Sequence, residues 1–343
     1  MLKACSGLLI TTVVLLGMSG CGGGTSTVAS NASPAPTATP APPTPTPTPA
    51  PTATPTPIPT PTPSPTPAVP AVDHVFLVVL ENHGFDQVIG SPAMPYLNSL
   101  ATQHSLATNY FSNTHPSIGN YFMLTAGQLE SNDDAFAGVV ADDNLVRALL
   151  TAGKTWKAYV QSLPSVGYLG NDVYPYLKHH NPFPYFSDVV NSAPQALNIV
   201  PFSVLQTDLT AGTIPNMVYL SPDVENDAHD CPTGAPTCAD TDKLAAADSW
   251  LHTNLDPLIT NPALANSVFI IDFDEALDSD VSPGGVGGGH IPVVIVGAHV
   301  KAGFQSVTLY QHQSVLRLMT DLLRLTDHPG QSATAPSMAE FFQ

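Results

Sequence analysis

From Gly22 to about Val69 the chain is almost entirely Gly, Thr, Ser, Ala and Pro, with Thr-Pro pairs repeating from Thr44 to Thr66. Such a stretch has too little apolar surface to offset the entropy of ordering, and its prolines favour extended polyproline II. It reads as a disordered spacer. At about 3.1 Å per residue, some 45 residues could reach up to about 140 Å. Whatever folds must lie in residues 71–343. That remainder of about 270 residues suffices for one large α/β domain with a substantial core.

The segment before the spacer reads as an export signal over residues 1–20. It has a basic start at Lys3, an apolar run from Leu8 to Met18, then small residues before Cys21. The run is too short for a spanning helix, which needs roughly 20 apolar residues. Met18-Ser19-Gly20-Cys21 resembles a bacterial lipobox, so residues 21–70 are expected to begin with a lipidated Cys21 and continue as the spacer. Two or more acyl chains there would hold the protein stably on a membrane. Of four cysteines, only Cys231 and Cys238 then remain in the folded part. In an exported, oxidising setting they are expected to form a local disulfide. The balance of 9 basic against 27 acidic residues, formally −18, argues against nucleic acid as a partner and suits a domain that holds cations.

Val75 to Leu80 is a continuous apolar run, the pattern of a strand buried on both faces. Similar runs recur at Met217 to Leu220, Val268 to Ile271 and Ile291 to Val296. Between them lie helical stretches at Met94 to Gln103, Asn144 to Ala152, Thr241 to Leu255 and Gln311 to Leu325. The alternation predicts an α/β fold, a mostly parallel central sheet flanked by helices on both faces. Gly153-Lys154-Thr155 resembles the end of a phosphate-binding loop, but Ala148 replaces the required first Gly, so it reads as a turn.

Ligands of open α/β sheets sit beyond the carboxyl ends of the strands, and polar residues cluster at those points here. The first run ends in Glu81-Asn82-His83-Gly84-Phe85-Asp86. Another ends in Ser221-Pro222-Asp223, followed by Glu225-Asn226-Asp227-Ala228-His229-Asp230. A third ends in Asp272-Phe273-Asp274-Glu275, and a Gly-rich loop delivers His290 before the last run. Four such clusters from distant parts of the chain point to a metal-binding hydrolytic site. Ser117, in Thr114-His115-Pro116-Ser117-Ile118-Gly119-Asn120-Tyr121, precedes an apolar run. If that run opens a helix, Ser117 is either a nucleophile at an anion-favouring helix terminus or simply the N-cap. His180 either reaches the site or serves its loop. His312 reads as a capping or surface residue, and His74 and His104 have no supporting neighbours.

Taken in order, E-N-H-G-F-D, T-H-P-S-I-G-N-Y, N-D-A-H-D, D-F-D-E and G-G-H-I-P-V-V-I-V-G resemble the acid phosphatase/phospholipase C phosphoesterase family of the alkaline phosphatase-like superfamily. The resemblance covers nearly all of Val72 to Leu325. It implies a covalent phospho-enzyme with Ser117 as nucleophile and Asn120 in a phosphate-binding position. It further implies Glu81, Asn82, Asp274 and Glu275 as metal ligands, with His229 and His290 facing the phosphate or leaving group. Gly119 stands where many relatives have Pro, which is expected to loosen the nucleophile turn. Phe273 replaces a usual Trp or Tyr.

Phosphoryl transfer needs positioning and charge neutralisation more than covalent help from the protein. An all-oxygen ligand set suits Ca²⁺, Mg²⁺ or Mn²⁺, and Zn²⁺ enters if His229 and His290 bind a second ion. The expected activity is hydrolysis of phosphate monoesters, on a phosphorylated small molecule or a phospholipid. The chain stops soon after the Gln311 to Leu325 stretch, whereas larger diesterase relatives carry further domains. A phospholipase C-type diesterase is the alternative within enzymes. A non-catalytic surface-binding protein on a hydrolase fold is the alternative of another class.

Overall fold

The computed structural model describes residues 40–42 and 68–343, apart from 286. The expected signal, Cys21 and most of the Pro/Thr-rich tract lie outside the described residues. The chain divides into two units between Thr62 and Pro63, and every element below belongs to the second. Val69 and Val72 are already buried in its core, so the folded part starts about where the composition changes.

Eight strands form one sheet: β1 (His74–Leu80), β2 (Ser105–Phe111), β3 (Trp156–Val160), β4 (Ile199–Pro201), β5 (Met217–Ser221), β6 (Ser267–Phe273), β7 (His290–Gly297) and β8 (Phe304–Ser306). Their order is β4-β3-β5-β1-β6-β7-β2-β8. All neighbours pair in parallel except β6 with β7 and β7 with β2, so β7 alone runs against the rest. Successive residues of a strand face opposite sides of the sheet. Every residue of β1 after His74, and all of β6, is buried, so the central strands are covered on both faces. The expected mostly parallel α/β architecture is what the chain adopts.

Four helices fall where the 3.6-residue pattern placed them: Pro95–Gln103, Leu145–Thr151, Asp240–Asn254 and His312–Leu322. Pro95–Gln103 lies against Asp240–Asn254, whose Asp248 carboxylate accepts the backbone N–H groups of Tyr96 and Leu97 at 3.0 and 2.9 Å. That carboxylate satisfies two donors that the start of the helix would otherwise leave orphaned. A fifth helix, Ser117–Thr125, is buried along its whole length and packs against His312–Leu322. Cys231 and Cys238 are disulfide-bonded, Cα atoms 5.6 Å apart, in the loop that follows β5. Among the described residues no helix is long and apolar enough to cross a membrane.

The topology fixes where polar groups can meet. β1, β5 and β6 are parallel, so their carboxyl ends share one edge of the sheet. β7 runs the other way, which brings its first residue, His290, to that same edge opposite Phe111.

Candidate active site

Leu80 pairs with Phe273 at the ends of β1 and β6, so the next residues, Glu81 and Asp274, emerge side by side. The Asp274 N–H donates to the Leu80 carbonyl at 2.9 Å, and the Glu81 N–H donates to the Asp227 carbonyl at 2.8 Å. The second bond draws in the loop after β5. Glu81, Asp227, Asp274 and Glu275 are all essentially inaccessible to solvent. Four carboxylates thus converge in a low-dielectric spot.

Burial raises the Glu81 carboxyl well above its usual range, and the charges of Asp274 and Asp227 add to this. Asp227 and Asp274 are raised too, burial again leading. Glu275 is pushed up to about 8 by burial and by Asp274. His115 faces it, Nδ1 to Oε2 at 3.2 Å, and is itself raised to about 9 by that contact. The imidazole and the carboxyl titrate together.

Ser117 is the first residue of its helix; Pro116 is the N-cap, and Asp134 Oδ1 accepts the Ile118 N–H at that end at 3.1 Å. The N-cap alternative for Ser117 is thereby removed. Its hydroxyl instead donates to Glu81 Oε2 at 3.2 Å. The other carboxylate oxygen, Oε1, accepts from the Tyr121 hydroxyl one helical turn on. Asn120 is placed differently from the expectation that it would bind phosphate. Its Oδ1 accepts the N–H groups of Asn113 and Thr114 at 3.0 and 3.1 Å. Its Nδ2 donates to the Thr114 carbonyl and to Glu275 Oε2 at 2.8 and 3.1 Å. Both ends of the amide are occupied in stapling the nucleophile loop to Glu275.

Gly119 also departs from expectation. A Cβ at this position would fall 2.6 Å from Thr114 Cγ2 and against the Asn132 amide. Gly119 lies within the first turn of the helix rather than in a loose loop, and a side chain there would have to displace Thr114 and Asn132.

The residues present suit a divalent cation. Asp274 Oδ1 accepts the N–H groups of Asn82 and Glu275 at 3.2 and 2.6 Å, while Oδ2 is buried with no partner. The amide end of Asn82 lies 2.8 Å from Glu81 Oε2 and 3.2 Å from Asp274 Oδ1. A nitrogen there donates to both carboxylates, whereas an oxygen there calls for a cation between them. Asn82 holds this place with a φ of +48°, a left-handed conformation that Asn tolerates. Donor atoms of Glu81, His180 and Asp227 lie within 4.8 Å of one another, as do those of His115, Glu275 and Asp278. A buried, unpartnered Asp274 oxygen among converging carboxylates suits a hard cation, with imidazole available beside it.

His180, left open by the sequence, is buried at the site. Its Nδ1 is 3.4 Å from both Glu81 Oε1 and Asp227 Oδ2. His229 borders an open cleft of about 500 Å³ that is also lined by Asn82, His83, Asp230, Lys243 and Asp278. Its N–H donates to Asp227 Oδ1, and its Nδ1 meets Asp230 Oδ1, both at 2.8 Å. His290 does not join this group. Its ring stacks between Phe85 and Phe111, with Nε2 on the Thr108 carbonyl at 2.9 Å. His290 shares the edge of the sheet but is engaged as a packing residue.

His312 corrects the expectation of a capping or surface residue, because it is wholly buried. It shares a helix face with Val315, Leu316 and Met319, positions i, i+3, i+4 and i+7, all fully buried. The polar Gln311 and Gln313 on either side masked that periodicity. Asp227, Tyr121 and His115 were also missed as site residues. All three stand in the motifs N-D-A-H-D and T-H-P-S-I-G-N-Y, beside His229 and Ser117.

The phosphoesterase family model matches residues 91–326. The phosphatidylinositol-3-phosphatase of Mycobacterium tuberculosis is 30% identical over 80% of this chain and 84% of its own length. The phosphate-repressible acid phosphatase of Penicillium chrysogenum is 30% identical over 72% of this chain. The match spans 58% of that fungal enzyme, and 48% of a probable acid phosphatase of Kluyveromyces lactis. Among solved structures, an alkaline phosphatase superfamily protein from Vibrio parahaemolyticus superposes with a TM-score of 0.57 at 14% identity, covering 79% of this chain and 72% of its own. The phosphonate monoester hydrolase of Agrobacterium radiobacter superposes at 0.54 and 15% identity, covering 79% and 77%. These two share the fold. The extent of the family match, with the long mycobacterial alignment, makes this chain a member of the phosphoesterase family and a hydrolase of phosphoric ester bonds.

Proposed function

We propose that the protein hydrolyses phosphate monoesters through a phospho-serine formed on Ser117, with a divalent metal ion held by Glu81, Asn82, Asp274 and Glu275. The observation that carries this reading is the buried Ser117 hydroxyl, aimed at Glu81 Oε2 where four carboxylates converge. When bound, the ion would offset those charges and supply positive charge to the phosphate oxygens. In the first step Ser117 Oγ bonds to phosphorus and the bond to the alcohol oxygen breaks. The serine proton lies on the path to Glu81. His229, which lines the cleft, would protonate the departing alkoxide. Water then attacks the phosphoserine, releasing phosphate and restoring the hydroxyl.

Lys243, set among Asp230, Asp240 and Asp278 in the cleft lining, is the one Lys or Arg there to meet an anionic group on a substrate. The name of the mycobacterial relative makes a phosphoinositide monoester the first such substrate to try. Rates on p-nitrophenyl phosphate, its bis ester, phosphatidylcholine and phosphatidylinositol 3-phosphate test the assignment. Monoesters are expected to be turned over at least about tenfold faster than diesters. Faster cleavage of the bis ester or phosphatidylcholine would move the assignment to a phospholipase C-type diesterase.

We propose in addition that the enzyme is exported and tethered through Cys21, because Cys21 follows a lipobox-like string. Cys21→Ser should release the protein from the membrane fraction. Unchanged membrane association without acylation would refute the tether.

A further inference from the structure

Behind Asp274 lies a polar cluster that takes no part in the proposed chemistry. Asp272, Tyr110 and His312 are each fully buried. They come from β6, β2 and the start of the helix His312–Leu322, three distant parts of the chain. The Tyr110 hydroxyl lies 3.3 Å from Asp272 Oδ2 and 3.1 Å from His312 Nδ1. His312 Nδ1 is in turn 3.4 Å from the same Asp272 oxygen. On the opposite side of the ring, Nε2 lies 2.7 Å from the backbone carbonyl of Asp274. A carbonyl only accepts, so Nε2 carries a hydrogen and donates it. The imidazole therefore bridges a carboxylate and a phenol on one side to a single peptide oxygen on the other.

That oxygen belongs to the peptide joining Asp274 to Glu275. Rotation of this peptide would swing the Glu275 N–H, which now holds Asp274 Oδ1 at 2.6 Å. It would also displace both side chains relative to Glu81. The Asp274 N–H is already pinned by the Leu80 carbonyl at 2.9 Å. The bond from His312 fixes the other end of the residue. Burying three polar side chains costs stability that an apolar trio of similar volume would not. The arrangement thus calls for a benefit other than packing.

We propose that His312, held in place by Asp272 and Tyr110, is a positioning residue that sets the Asp274–Glu275 peptide and so the geometry of the cation-binding pair. This rests on the reading that Asp274 and Glu275 hold the metal. Groups that orient ligands in this way typically change affinity by about 10–100-fold when removed.

The test measures Mn²⁺ affinity of the full chain by equilibrium dialysis, beside melting temperature in chelator. His312→Leu should weaken Mn²⁺ binding by about 10–100-fold. His312→Gln can still present an N–H to the Asp274 carbonyl and should recover most of that loss. His312→Asn is too short to reach and should not. Equal affinities for the Gln and Asn variants, or a folded Leu variant that binds like the unaltered protein, would overturn the proposal. The Gln–Asn comparison decides even if the Leu variant does not fold. Should the unaltered protein bind no Mn²⁺, Mg²⁺, Ca²⁺ or Zn²⁺ at all, the metal reading itself fails, an outcome distinct from equal affinities among the variants.

Discussion

Ser117→Ala should lower turnover at least about 10³-fold, roughly 4 kcal/mol of barrier, and leave the fold almost untouched. The asymmetry follows from what the hydroxyl does. It caps no helix, since Pro116 occupies that position, and it donates to Glu81 Oε2 at 3.2 Å. Losing a hydrogen bond of this kind costs about 0.5–1.5 kcal/mol. For a domain of this size that amounts to a few degrees of melting temperature. Had Ser117 been the N-cap, stability would have fallen with turnover per folded molecule unchanged. Melting temperature and turnover measured on one sample separate the two cases. Peptide mapping after an acid quench should also place phosphate on Ser117 in the unaltered enzyme whenever dephosphorylation is the slower step. A folded Ser117→Ala variant of near-full activity would pass the role to water. The neighbouring Thr114 is a poor substitute, because its hydroxyl is held by the His115 carbonyl and Asn132.

The central strands were legible because each is buried on both faces and reads as one apolar run. β2, β3, β4 and β8 were not. Ser105–Phe111 carries Ser, Thr and Asn among its seven residues, and Phe304–Ser306 is only three residues long. Strands at or near an edge of a sheet need no continuous apolar run, and periodicity has little to detect in three to seven residues. At the site, Glu81, Asp274, Glu275 and Ser117 could be read because each follows a strand or opens a helix within a motif. Pairings between motifs could not. Nothing local to Asn120 says that its amide will be used up by Asn113, Thr114 and Glu275. Likewise His290 and His312 exchanged their expected characters. The histidine beside a glycine-rich loop became a stacked packing residue, and the one between two glutamines became the buried contact of Asp274. Only the reversed direction of β7 and the inward face of the last long helix decide that outcome, and both are tertiary facts.

Asp274→Asn should reverse its effect on stability according to whether a divalent metal is present. Without metal, Asp274 is one of four buried carboxylates, and its charge repels the others: it helps raise Glu81, Asp227 and Glu275. Removing the charge relieves that repulsion, so the chelated variant should melt higher than the chelated parent. With metal saturating, the variant has lost a ligand and gains less from binding, so it should melt lower. Turnover should fall about 10³-fold, the several kcal/mol that a bound ion supplies to a developing charge. The pH dependence carries the same sign argument. An unfolded Glu titrates near pH 4.3, whereas the folded Glu275 is pushed up to about 8 and Glu81 is raised as well. Between those values these two carboxyls bind more protons in the folded state than in the unfolded one, so their contribution to the chelated protein's stability should fall as pH rises from about 4.5 to 8, against the opposite contribution of His83, His104, His179 and His180, which burial lowers. Metal competes with those protons, so saturating Mn²⁺ should flatten or invert the slope. Melting temperatures of parent and variant across that range, in chelator and in Mn²⁺, make the comparison. If the two proteins keep the same order in both buffers, the converging carboxylates do not hold a cation.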